Sequence, residues 1–254
     1  MATATTYREA VESISNLTTV RIGLTATPGR GVKADNENKQ LAKFFDNRLI
    51  SPPEFEGNAV NYLREKGVLA RCQRYIIETG FKVETQKAAS MLSDLPTRLL
   101  DRLSESRERN ALILDSIQKE VEDGMQILVF SCSVKHSVLL TIALLERGVS
   151  AAYVDSSVGG QRRREIVADF SEGKLPVLIN FGVLSTGFDV PNVNTIIITR
   201  PTSSVVLYSQ MVGRGLRGPK MGGSEFFKLI DVKDHFTKYG GVEAVYDIFE
   251  DYWS

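Results

Sequence analysis

The segment Gln210-Met211-Val212-Gly213-Arg214-Gly215-Leu216-Arg217 sets two arginines three residues apart, behind a glutamine and among Gly213, Gly215 and Gly218. Glycines leave the backbone little side-chain cover. Arginine is permanently charged, and its planar donor fork fits phosphate oxygens. Such a segment suits the placing of fixed positive charge against a phosphate made elsewhere in the molecule. The alternative for this stretch alone is a solvated basic turn.

The elements that must position these arginines follow from periodicity. Amphipathic helices are expected over 107–123, 134–147, 160–171 and 203–212. Between them stand short apolar strands at 127–131, 151–154, 176–180, 195–199 and 226–230. Strands apolar throughout, alternating with helices, imply a doubly wound α/β fold with a parallel sheet covered on both faces. In that architecture chemistry sits beyond the carboxyl ends of strands. Upstream, helices are expected at 7–17, 38–47 and 59–66. Val20–Ala26 (VRIGLTA) reads as an interior strand, and 71–79 alternates toward another. Residues 80–106 are polar and read as an excursion without firm pattern.

Composition sets further bounds. The 254 residues are 43% hydrophobic and 24% charged, ordinary for a globular protein. Lysine plus arginine and aspartate plus glutamate each total 31, so any nucleic-acid site is a local basic groove and not a global charge. Two histidines and two distant cysteines argue against a zinc site, and free thiols fit a reducing cytoplasm. No apolar run reaches the ~20 residues of a membrane span.

Four segments, in order, resemble the motifs of superfamily 2 helicases and translocases. Gly23–Pro28 (GLTATP) resembles the third motif, Ile127–Ser133 (ILVFSCS) the fourth, Val177–Pro191 (VLINFGVLSTGFDVP) the fifth and Gln210–Arg217 the sixth. The style is nearest to restriction-enzyme motor subunits and DNA repair helicases. The resemblance implies a RecA-like fold and ATP-driven movement on DNA. It implies Arg217 as an arginine finger on the γ-phosphate, Arg214 as its neighbour, and Gln210 holding the finger loop or orienting the attacking water. Gly187 and Asp189 would contact the nucleotide. Ser131, Ser133, Ser185 and Thr186 would hold the nucleic-acid backbone, and Thr25 and Thr27 would couple hydrolysis to grip.

The departures are as informative. No G-x-x-x-x-G-K-[ST] loop and no magnesium-binding Asp-Glu string occurs; the one Gly-Lys pair, Gly173-Lys174, precedes Leu175. The chain therefore reads as the trailing part of a first RecA-like domain with its linker over 1–69, and the second such domain over 70–254. ATP and Mg²⁺ would be held mainly by a first domain in the same parent protein or another chain. The alternatives are a non-catalytic nucleic-acid-binding module and one subunit of a split motor. The run Arg162-Arg163-Arg164 opens a helix, where cations are locally unfavourable. It reads as a solvated face for at least two of the three. Phe181 and Phe188 are candidate stacking platforms, with core packing the simpler reading.

Overall fold

A computed structural model describes residues 5–16, 18–23, 35–48, 53–55, 59–83, 95–183, 192–202 and 204–236. The chain separates into two units, Met1–Glu56 and Gly57–Ser254. In the first unit, α1 spans Thr5–Ile14 and α2 spans Asp35–Phe44. Arg21 lies over the Phe44 ring at 4.9 Å, and the Phe44 and Phe45 rings meet edge to face. Space for this is made by Gly23, where a Cβ would stand 2.7 Å from the Phe45 ring.

The strand expected over Val20–Ala26 needs correction. Residues 20–23 form no ladder, and 24–26 lie outside the described residues. A strand needs a neighbour for its N–H and C=O groups. The first unit holds no other strand among the described residues. Val20 and Ile22 are 81% and 80% exposed.

The second unit begins with α3 (Ala59–Glu65) and β1 (Arg71–Val83), followed by α4 (Thr97–Glu105) and α5 (Arg107–Glu122). Then come β2 (Ile127–Phe130), α6 (Val134–Glu146), β3 (Ala151–Val154), α7 (Gly160–Ser171), β4 (Val177–Asn180), β5 (Thr195–Ile198), α8 (Val205–Val212) and β6 (Phe226–Phe236). All pairings are parallel, in the order β1-β6-β5-β2-β4-β3. The expected doubly wound α/β fold is what forms.

Its cause is visible residue by residue. Every residue of β2, β4 and β5 is buried, because helices cover both faces. Leu128, Phe130, Leu178, Ile196 and Ile198 join α4, α7 and α8 residues such as Leu103, Phe170 and Met211. Their alternates Ile127, Val129, Val177, Ile179 and Ile197 join Ile113 and Ile117 of α5 and Leu140 and Leu144 of α6. The edge strand β1 is covered less completely, with the adjacent Tyr75 and Ile76 both exposed.

Two expectations fell short in extent. The polar stretch 80–106 contains the end of β1 and helix α4, whose Leu99, Leu100 and Leu103 are buried. The last strand runs six residues beyond Ile230. Asp231 and Asp234 break its apolar pattern, yet both are buried. Arg74 Nε and the Tyr208 hydroxyl each donate to Asp231 at 2.8 Å, and Arg109 pairs with Asp234. Arg74 and Tyr208 both meet Oδ2 of Asp231, whose buried Oδ1 has no partner, and Arg109 meets both oxygens of Asp234; with these partners on other elements the strand continues.

A polar chain ties three helices to β2. The Cys132 backbone N–H donates to His136 Nδ1 at 3.2 Å, and His136 Nε2 meets Asn110 Oδ1 at 3.0 Å. The Asn110 side-chain amide then donates to the Ser104 carbonyl at 2.8 Å. With Nδ1 accepting, the proton sits on Nε2 and the ring is neutral. Burial, helped by the Arg109 charge, pushes His136 down to about 3. Between the unfolded value near pH 6.5 and about 3, only the unfolded chain takes up this proton. Stability is therefore lost as pH falls through that window, by roughly 1 kcal/mol per pH unit from this group. Denaturant titrations from pH 7 to 4 will show this slope, and His136→Gln will flatten it; equal slopes in the two proteins would remove His136 as the cause.

Candidate functional site

The arginine turn is built by backbone pairing. α8 ends at Val212, and the chain turns at once, with Arg214 N–H on the Met211 carbonyl and Gly215 N–H on the Val212 carbonyl. The next residues lie against the segment before β1. Ala70 N–H donates to the Leu216 carbonyl at 2.9 Å, Gly218 N–H to Val68 at 2.9 Å and Lys220 N–H to Gly67 at 3.0 Å. Leu69 and Arg217 form an antiparallel bridge. These bonds place residues 67–70 with the second unit, which is why the chain divides earlier than the 69/70 change read from sequence.

The glycines have a different reason from the one expected. Gly215 and Gly218 are buried, not bared to solvent. A Cβ on Gly215 would stand 2.5 Å from the Phe227 ring, and one on Gly218 would run into the Gly67 carbonyl. Close approach is what demands glycine here; it holds Arg217 between two packed points, with Arg214 just before the first. Arg214 is half-buried; burial pushes its guanidinium below the usual arginine value, and it remains a cation. Gln210, on α8, and Arg217 are partly exposed.

Ser131 and Ser133 stand at the carboxyl edge of the sheet. Ser131 follows β2, and its N–H donates to the Asn180 carbonyl at the end of β4. Ser131 is 1% exposed, and its hydroxyl is shared among Ser137 Oγ (2.6 Å) and the Ser133 and Asn180 carbonyls (both 3.2 Å). It holds the strand end together and is closed off from solvent. Ser133 caps α6, accepting from the His136 N–H at 3.2 Å, and it is partly exposed. Arg200 lies over the Phe181 ring at 5.5 Å. Gly187, Asp189, Ser185 and Thr186, with Phe188, lie outside the described residues, as do Thr25 and Thr27.

At the same edge, the basic run of α7 is divided in its work. Arg163 donates to the Asp155 and Val158 carbonyls at 3.0 Å and so closes the β3–α7 loop. Asp155 is buried and accepts from the Ser157 N–H and hydroxyl at 2.7 and 2.6 Å. Arg162 pairs with Glu165 on the helix surface. Arg164 is exposed.

The two regions are far apart. The arginine turn packs beside Phe227 near the start of β6, while Ile198, just before Thr199, is level with Asp231. At ~3.3 Å per residue, the turn and the carboxyl edge are separated by roughly 15–20 Å along the sheet. The arginine turn and the strand-end surface thus lie toward opposite ends of one sheet. Among the described residues, no three His, Cys, Asp or Glu side chains gather to hold a metal ion. None of the helices is long and apolar enough to cross a membrane, again among those residues.

Sequence reasoning missed Arg109. It is fully buried and forks onto Asp234, with Nε to Oδ1 at 2.9 Å and Nη2 to Oδ2 at 3.1 Å. Nη2 also donates to the Thr199 carbonyl, and Nη1 lies 3.9 Å from Cys132 Sγ. Burial pushes the Cys132 thiol up; it stays neutral and donates to the Thr199 carbonyl at 3.1 Å. One guanidinium therefore ties α5 to the ends of β2, β5 and β6, where the Ser133 and Arg200 loops begin. The only sequence signal is an arginine at the inward spacing of α5, in line with Ile113 and Ile117. Arg109→Met should cost ~3–5 kcal/mol, because Asp234 is left charged and buried; Arg109→Met with Asp234→Leu should recover much of that. Unfolding in urea measures both, and a wild-type midpoint for the single variant would refute the role.

Comparison with known proteins agrees with this geometry. The helicase conserved C-terminal domain family matches residues 108–218. A Schizosaccharomyces pombe protein named as the mitochondrial ATP-dependent helicase irc3 is 41% identical over 205 residues, covering 77% of this chain and 30% of its own length. A 51.5 kDa protein of a Lactococcus phage is 27% identical over 216 residues, 84% of this chain and 43% of the relative. The UvrABC system protein B of Bacillus subtilis is 29% identical over 188 residues, 70% of this chain and 27% of the relative. The chain spans less than half the length of these relatives. In fold, it resembles a fragment of an HsdR subunit of a type I restriction enzyme from Vibrio vulnificus, with a TM-score of 0.63, 20% identity, 89% of this chain and 42% of that one. The chain thus carries the conserved C-terminal, RecA-like domain of the superfamily 2 helicases.

Proposed function

We propose that the chain supplies the second motor half of an ATP-driven DNA helicase or translocase. The observation that carries this reading is the arginine turn. Arg214 and Arg217 are permanent cations on a backbone pinned by residues 67–70 and by Gly215 against Phe227. Charge held in place costs little reorganisation when a phosphate takes on more negative charge, which is where electrostatic catalysis gains most. ATP bound against this turn would offer its γ-phosphate to Arg217, with Mg²⁺ and the phosphate loop supplied by a first RecA-like domain. Arg214 is the supporting cation, and Gln210 holds the turn or orients the attacking water. Gly187 and Asp189 contact the nucleotide.

The strand-end surface is read as the track for nucleic acid. Ser133, Ser185 and Thr186 contact backbone phosphates, Arg164 adds charge, and Ser131 and Arg109 keep that edge in shape. Thr25 and Thr27 couple the two activities. Phosphate contacts of this kind bind without reading sequence. The likeness to repair and restriction proteins supports DNA as the track.

A second reading has its own observation. Val20 and Ile22 present apolar side chains to solvent on a segment with no ladder partner. This suits a split motor, in which a separate chain with the phosphate loop covers residues 18–23. Mixing this chain with such a first half, and measuring ATP hydrolysis on adding duplex DNA, separates the two arrangements.

In the intact protein, Arg217→Ala should lower the hydrolysis rate by ~10³–10⁵ and leave DNA affinity nearly unchanged. A normal turnover number would sink the finger assignment. By itself the chain should show no ATPase activity and no micromolar Mg-ATP binding in calorimetry. On DNA, Arg164→Ala should lower the slope of log affinity against log salt by about one. Thr186→Ala should weaken binding without changing sequence preference. An unchanged slope would show that Arg164 faces only solvent.

A further inference from the structure

Helix α6 has a second face that the motor reading leaves unused. Leu140 and Leu144 point into the sheet. On the opposite side Leu139 and Ile142 are 41% and 52% exposed. A shallow groove runs there, lined by residues of α6 alone, with Lys135 toward one end and Glu146 at the other. The apolar side chains of this face form one stripe between the two charges.

We propose that this face is a self-association surface, occupied by α6 of a second copy running antiparallel across a two-fold axis. The lining is self-complementary in that arrangement. With the axis at the level of the 140–141 peptide, Lys135 stands opposite Glu146 of the second copy, Val138 opposite Ala143, and Leu139 opposite Ile142. Each pair occurs twice, as an isologous contact requires. Lys135 and Glu146 are ~16 Å apart along the helix axis, so the two charge pairs close the groove at its ends. The small Ala143 lets the helix backbones approach near the centre, where Leu139 and Ile142 interdigitate. A parallel arrangement would instead set Lys135 against Lys135 and Glu146 against Glu146. One helix face contributes less than the ~800 Å² per partner of a standard interface, so the dimer is weak and concentration-dependent.

Sedimentation velocity on the full chain at low salt, over a series of concentrations, tests this. The expected result is a reversible monomer–dimer equilibrium. Lys135→Glu and Glu146→Lys should each raise the dimer Kd by about tenfold, since each turns two attractive rim pairs repulsive. The double reversal, Lys135→Glu with Glu146→Lys, should restore wild-type association. Ile142→Glu should leave monomer only. All three positions are solvent-exposed, and circular dichroism should show an unchanged fold. A wild-type chain that is monomeric throughout overturns the proposal. So does a dimer that survives Ile142→Glu, or a double reversal that associates no better than the single ones. None of these readouts depends on ATP or DNA.

Discussion

The buried pair between Arg109 and Asp234 is the constraint on which the working edge of this protein depends. A guanidinium with no solvent exposure must have its donors met, or the fold loses several kcal/mol. Here they are met by three strands at once: the carboxylate of β6, the carbonyl after β5, and the sulfur after β2. Satisfying one side chain therefore forces three loop origins into register. The His136–Asn110–Ser104 chain extends the same logic to α6, α5 and α4. An apolar edge of equal volume could be as stable, but it would not tie these loop origins to a fixed set of hydrogen-bonding partners.

The second organising fact is separation. The arginine turn packs beside the start of β6, and the strand-end surface lies at the carboxyl edge. The sheet between them is buried on both faces. Such a core is packed densely and transmits displacement with little compliance. A displacement of the turn would thus carry to the far edge through one packed core. The pinning of the turn by residues 67–70 ties the start of the second unit to that core.

Much of the fold was legible because its signals are local. Periodicity placed α5 through α8 and β2 through β5 within a residue or two, and glycines such as Gly148 and Gly173 marked where helices end. Failures occurred where distant partners decide. β6 seemed to stop at Ile230 because Asp231 looks like a loop residue until Arg74 and Tyr208 are brought beside it. α4 was hidden in a polar stretch because its stripe of leucines is short. Val20–Gly23 has the alternation of a strand but no neighbour to pair with among the described residues, and alternation does not make a ladder.

From sequence alone came the α/β class, the order of the four helicase-like motifs and the residue types able to meet a phosphate. Each of these is written in short spans, as a period, a spacing or a charge. Only the tertiary structure decided what those residues are free to do. Ser131 looked like a backbone-binding hydroxyl, and packing spends it on Ser137 and Asn180. Arg163 looked like one of three equivalent cations, and it closes a loop. Gly215 and Gly218 looked like residues that leave the backbone uncovered, and they are points of closest packing. Arg109 carried only its inward helical spacing, and it anchors three strand ends. The reason is common to all four: whether a polar group faces a ligand or a neighbour depends on contacts between residues distant in the chain, and no local pattern encodes them.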